Sequence, residues 1–188
     1  LPLYYNGKPL ATVWRVRPTV IRRRSQDPYT YICLDEEGVL SSYLQYSEQE
    51  LIYKRHLHFE DGRSIRCTED FGGGRGRIKL CATDWNGDGR YDLLLGTHNR
   101  ASIPPGPKGA PRHTTSQAGV FLLENRGTEE EALFALPRPI LYRGKPIQLG
   151  MHACAPEAVD WTGSGELDLV VGAEDGTIIW FPRSTLSW

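Results

Sequence analysis

With 188 residues, 39% of them hydrophobic, the chain is long enough to bury a core. Its formal net charge of −1 gives no electrostatic reason to expect a nucleic-acid partner, and no apolar run approaches the length that crosses a bilayer. Charge is nevertheless uneven, with arginines and aspartates gathered in separate segments.

The chain opens at Leu1 without methionine or a signal-like segment, consistent with a processed product or a fragment. Tyr5-Asn6-Gly7-Lys8-Pro9-Leu10 reads as a hairpin, and it recurs as Tyr142-Arg143-Gly144-Lys145-Pro146-Ile147 at an offset of 137 residues. Trp14, Arg15 and Arg17 then lead into a strand over Pro18-Thr19-Val20-Ile21, and Leu34-Asp35-Glu36-Glu37-Gly38-Val39-Leu40 joins two more strands through a turn. Both segments align without a gap, at an offset of 138, with Pro156-Glu157-Ala158-Val159 and Gly172-Ala173-Glu174-Asp175-Gly176-Thr177-Ile178. Helical signal is thin and limited to Ser47–Tyr53 and Thr128–Ala135.

His56 and His58 lie two apart on an outer strand, a spacing that suits a metal only if a third ligand faces them, and none is visible. Phe59-Glu60-Asp61-Gly62-Arg63-Ser64-Ile65 is a looser middle copy of the first hairpin. Gly72-Gly73-Gly74-Arg75-Gly76-Arg77 is glycine-rich like a phosphate cradle, but no helix follows and a β-α-β context is absent.

Asp84-Trp85-Asn86-Gly87-Asp88-Gly89-Arg90-Tyr91-Asp92 carries the strongest chemical signal, oxygen side chains at alternate positions with glycine between them. Side-chain oxygens of Asp84, Asn86, Asp88 and Asp92, with the main-chain carbonyl of Arg90, can converge on one hard cation if the chain curls tightly, which identifies a structural calcium loop. An EF-hand and a dockerin open with the same spacing. An EF-hand, however, needs a bidentate acid at its twelfth position, here Leu95, and both need a following helix. Leu93-Leu94-Leu95-Gly96 is instead a short apolar run closed by glycine, a buried strand.

The segment Ala101–Gln117, with Pro104-Pro105-Gly106-Pro107, is too rich in proline and glycine for a core element and reads as a long loop, either a lid or a passive insertion. Beyond the strand Gly119–Leu123, a third copy of the loop appears as Asp160-Trp161-Thr162-Gly163-Ser164-Gly165-Glu166-Leu167-Asp168-Leu169. Thr162 and Ser164 stand in for stronger donors there, leaving Asp160, Asp168 and Glu166 as the acids of a second, poorer metal set. In the first unit Arg22, Arg24 and Gln26 occupy those positions, which predicts no metal. Four cysteines, Cys33, Cys67, Cys81 and Cys154, lack zinc or redox spacing and read as buried thiols, with a disulfide between units the alternative.

Four short strands per unit predict an all-β fold of antiparallel blades over residues 1–55, 56–138 and 139–188, the units of a β-propeller. The repeat Asp-x-Asn-Gly-Asp-Gly-x-x-Asp-Leu resembles the FG-GAP or VCBS repeat family, whose calcium-loop propellers include the integrin alpha-chain head. That resemblance covers nearly the whole chain and implies bound Ca2+ and secretion or display at the cell surface. Three blades are too few to close a ring, so the expectation is an incomplete ring whose remaining blades lie in a parent chain. An atypical first blade and pairing between chains are the alternatives.

In such a blade the metal loop joins the first two strands, so the segment before the first strand shares the opposite face with the connection from second to third. Arg15, Arg77 and Ala153 occupy equivalent positions there, with Trp14, Gly76 and His152 one residue earlier and Arg17 and Arg75 beside them. The long loop adds Thr97-His98-Asn99-Arg100 and Lys108–His113. Arginine forks match carboxylate and sulfate oxygens, and Trp14 can stack on a sugar ring. The predicted function is therefore binding of an acidic polysaccharide. One alternative is a polysaccharide lyase in which His152 or His98 takes a proton and Arg15, Arg75 or Arg77 neutralises the resulting charge. Another is protein adhesion. In a bland reading the arginines only pair with acids of blades outside this chain.

Overall fold

Short runs rich in β-branched and aromatic residues, cut at close intervals by glycine and aspartate turns, can bury apolar surface only as sheets. In the computed structural model, which describes residues 1–15, 17–22, 24–67, 76–98, 117–128, 130–150 and 152–188, the fold is all-β. Among those residues there is no α-helix, and the sheets are open. The strand pairs are antiparallel except for one short parallel pair, Leu133–Phe134 against His58–Phe59.

A hairpin of β1 (Tyr4–Tyr5) and β2 (Lys8–Pro9) precedes the first sheet, which has the order β3 (Thr19–Ile21), β4 (Thr30–Leu34), β5 (Leu40–Gln45), β6 (Leu51–His56). After β7 (His58–Phe59) comes the second sheet, β8 (Lys79–Thr83), β9 (Asp92–Gly96) and β10 (Val120–Leu123). β11 (Leu133–Phe134) turns back onto β7, and β12 (Arg138–Pro139) completes the second sheet against β10. A second hairpin, β13 (Leu141–Tyr142) with β14 (Lys145–Pro146), leads to the third sheet, β15 (Ala155–Val159), β16 (Asp168–Gly172) and β17 (Ile178–Phe181). A short 3-10 turn at Arg183–Thr185 then delivers β18 (Leu186–Ser187) onto β13.

The sequence repeat is a repeat of register. Val159 pairs with Asp168 and Ala155 with Gly172, as Thr83 pairs with Asp92 and Lys79 with Gly96, and as Ile21 pairs with Thr30. Leu34 opposite Leu40 likewise corresponds to Gly172 opposite Ile178 and to Gly96 opposite Val120. The two flanking hairpins also agree: Asn6 and Arg143 have φ of 51° and 50°, each followed by a glycine at positive φ, the conformation a two-residue turn demands. Tyr5 packs edge-on to Tyr43 as Tyr142 does to Phe181. The looser middle copy differs in turn geometry. Phe59 N–H donates to Arg63 O and Gly62 N–H to Phe59 O, which is how the Asp35–Val39 and Ala173–Thr177 turns close.

Neither helical expectation survives. Ser47–Tyr53 turns and enters β6, and Thr128–Ala135 contains β11. Alternating Leu51, buried, and Tyr53, partly buried, join a cluster with Cys33, Tyr43 and Tyr5, a tertiary reward that outweighs weak local propensity.

The sheets stack face to face in order. Ile32, Leu34 and Leu40 of the first share one core with Leu80, Leu93, Leu95 and Phe121 of the second. On the other side of the second sheet, Leu94, Val120 and Leu122 share another core with Leu169, Val171 and Phe181 of the third. Each such side chain contributes about 1.5–3 kcal/mol through burial. The third sheet repeats the pattern without a neighbour among the described residues. Ile178, equivalent to fully buried Leu40 and Val120, is 77% exposed, and Trp180 is 43% exposed.

All four cysteines are free and buried, so the disulfide alternative is not realised. Burial pushes the thiols of Cys33, Cys81 and Cys154 up to about 12 and that of Cys67 to about 11.

Candidate ligand face and aspartate loops

The middle loop is a tight curl around Asp84. Its Oδ1 accepts the backbone N–H of Gly87 and Asp88 at 2.9 and 3.0 Å, and Oδ2 accepts Gly89 N–H at 2.9 Å. Asn86 Oδ1 accepts Asp88 N–H, and Asp88 Oδ1 accepts Arg90 N–H. Gly87 and Gly89 make the curl possible with φ of 77° and 85°. Asp92 closes the loop from inside the core, taking N–H bonds from Trp85 at 3.1 Å and Asn125 at 2.8 Å. Desolvation, aided by the charge of Asp88, raises its carboxyl to about 6 against the pull of those amides.

The third loop repeats the device. Asp160 accepts the N–H groups of Ser164 and Gly165 at 2.9 Å, Ser164 Oγ accepts Glu166 N–H, and Asp168 accepts Trp180 Nε1–H at 3.0 Å and Arg183 N–H at 2.7 Å. Thr162 and Glu166 lie exposed on its rim. In the first unit the corresponding chain is braced by arginine. Arg22 donates Nε–H to Asp27 O and Nη1–H to Tyr29 Oη, and lies 4.7 Å over the Tyr29 ring.

By donor type and curl the middle loop suits a hard cation, and its buried Asp92 gains from a nearby positive charge. Asp84, Asn86, Asp88, Asp92 and the Arg90 carbonyl would hold it. Among the described residues, however, no three His, Cys, Asp or Glu side chains converge on one point. Arg90 instead turns its guanidinium onto Asp88 and the Asn125 carbonyl.

On the opposite side the structure forms two groups. In the first, Lys79 Nζ donates to the Arg15 carbonyl at 2.7 Å, and Arg17 forms an ion pair with Glu157 at 2.5 Å. Arg15 stands at φ 63° with its guanidinium 4.2 Å over Trp14, which is 61% exposed. Burial, followed by the charges of Arg15 and Arg17, lowers the Lys79 pKa. In the second group His98 and His152, far apart in sequence, meet with ring centroids 5.7 Å apart. Arg77 enters β8 half-buried, while Arg75, Arg100 and the Lys108–His113 segment lie outside the described residues. His56 is taken up by Asp35 at 3.3 Å.

Lys79 and Glu157 escaped the sequence reading, although the alignment that equates Arg15 with Arg77 also equates Arg17 with Lys79. Compared with known proteins, the chain matches no family model, no curated protein and no solved structure.

Proposed function

We propose that this chain forms three blades of a calcium-loop β-propeller of the FG-GAP or VCBS kind, working outside the cell, whose basic face binds an acidic polysaccharide. The blade reading is supported by the shared register of the three sheets, and the uncovered apolar face of the third offers a seat for further blades of a parent chain. The observation that carries the ligand reading is Lys79 bonded to the Arg15 carbonyl, with the charges of Arg15 and Arg17 acting on it, beside the exposed Trp14. Arg17 is paired with Glu157, and the remaining cations, next to an indole face, suit a uronate ring.

Retention on immobilised polygalacturonate tests the idea. The wild-type chain is expected to be retained at low salt, and Lys79→Met to lose about tenfold in affinity, equivalent to about 1.4 kcal/mol. Passage of the wild-type chain without delay would exclude this function.

The His98–His152 pair favours a second reading, a polysaccharide lyase in which one imidazole removes the proton beside a uronate carboxylate. Absorbance of an unsaturated product, lost in His152→Ala, would distinguish the lyase from a binding module. Calcium is a stabilising part of either reading. Millimolar calcium is expected to raise the melting temperature by about 5 °C or more and Asp88→Ala to remove the response, since a ligand at a hundredfold excess over Kd contributes about 2.7 kcal/mol. An unchanged melting curve would leave the loop without a metal role.

A further inference from the structure

The seam between the first and second sheets, on the side of the aspartate loops, holds two cavities of about 720 and about 300 Å3. Both are lined by Ile21, Asp27 and Tyr91, so they adjoin along one seam. Arg22, Arg24 and Arg90 line the larger cavity, and Lys54 and Arg55 the smaller, five cations against the three carboxylates of Asp27, Asp84 and Glu130.

We infer that this seam is a binding groove for an extended uronate-bearing oligosaccharide, separate from the basic face above and argued from its own geometry. Three features prepare it. Arg22 is fixed in advance by the Asp27 carbonyl, the Tyr29 hydroxyl and the Tyr29 ring, and Arg90 by Asp88 and the Asn125 carbonyl, so little order is lost when an anion arrives. A β-bulge is the second: Ser42 pairs with Arg55 and Tyr43 with Tyr53, which leaves Lys54 as the extra residue. Neighbours on a regular strand face opposite ways, yet here both Lys54 and Arg55 line the same cavity, a re-aiming that bulges produce. The third is chemical mixture. Carboxylates and the hydroxyls of Thr30, Ser42 and Thr83 line the seam together with the cations. A densely charged polyanion would meet repulsion from Asp27 and Glu130, whereas a sugar chain carries one carboxylate per ring and hydroxyls that donate to the rest.

Titration of the 15N-labelled chain with galacturonate di-, tetra- and hexasaccharides tests the groove. Amide shifts are expected at Ile21, Asp27, Lys54 and Tyr91, with affinity rising about tenfold from the disaccharide to the hexasaccharide as both cavities fill. Arg24→Glu and Lys54→Glu, both exposed and hence tolerated by the fold, should each weaken binding about tenfold. Shifts confined to the surroundings of Lys79, abolished by Lys79→Met and unaffected by Lys54→Glu, would overturn the groove and leave the basic face standing. Equal shifts at the groove with hexaglutamate would overturn the saccharide class, and absence of any shift would overturn the site.

Discussion

Gly96→Ala is expected to unfold the chain or cost about 3 kcal/mol or more, while Gly172→Ala, at the same position of the next unit, is expected to change stability by less than about 1 kcal/mol. A Cβ on Gly96 would lie 2.0 Å from the Cys154 carbonyl oxygen and 2.7 Å from Pro156 Cδ. The obstacle is backbone, so no rotamer change relieves it, and the second and third sheets would have to part along the core that holds Leu94, Val120, Leu169 and Val171. Around Gly172 nothing lies within 4 Å, because among the described residues no further sheet covers that face. Neither glycine has positive φ, so the contrast isolates packing from conformational strain. Urea unfolding of the two variants checks the stacking order directly. Equal midpoints would mean that the second and third sheets do not pack as described.

The second large effect is alkaline unfolding. Each of the four thiols has a folded pKa raised above its ordinary value of 9.0, three of them to about 12 and Cys67 to about 11. Below pH 9 folded and unfolded thiols are both neutral and the stabilisation is intact. Above it the unfolded chain releases protons that the folded chain retains, so stability falls as pH climbs through the folded values. One thiol loses about 1.4 kcal/mol per pH unit in that window, and four together about 5, comparable with the whole stability of a domain. Chemical denaturation between pH 8.5 and 10.5 should show this slope, and Cys67→Ala should flatten it by about a quarter. A flat profile would mean that the thiols reach solvent, which reaction with a thiol reagent under native conditions would reveal.

Much of the fold was legible because its determinants are local. Apolar residues of period two and glycines at fixed offsets set strand and turn, and equal offsets of 137 and 138 residues reappear as equal registers. The aspartate loops were legible for the same reason, since Asp84 and Asp160 bond to N–H groups within five residues. The two helical expectations failed where a stretch with weak local preference is decided by its partners. Ile52 and Tyr53 are strand residues because Leu44 and Tyr43 lie opposite.

By itself the sequence determined an all-β chain of three like units, the loops that join their first strands, and the concentration of arginine before the inner strands. Only the tertiary structure decided which of those residues meet. Lys79 reaches Arg15 across 64 residues and Arg17 reaches Glu157 across 140, and the seam groove exists only between two stacked sheets. The physical reason is that spacing along a strand encodes its register and its buried face, whereas contacts between sheets depend on how twisted surfaces pack, and alternation of residues does not encode that.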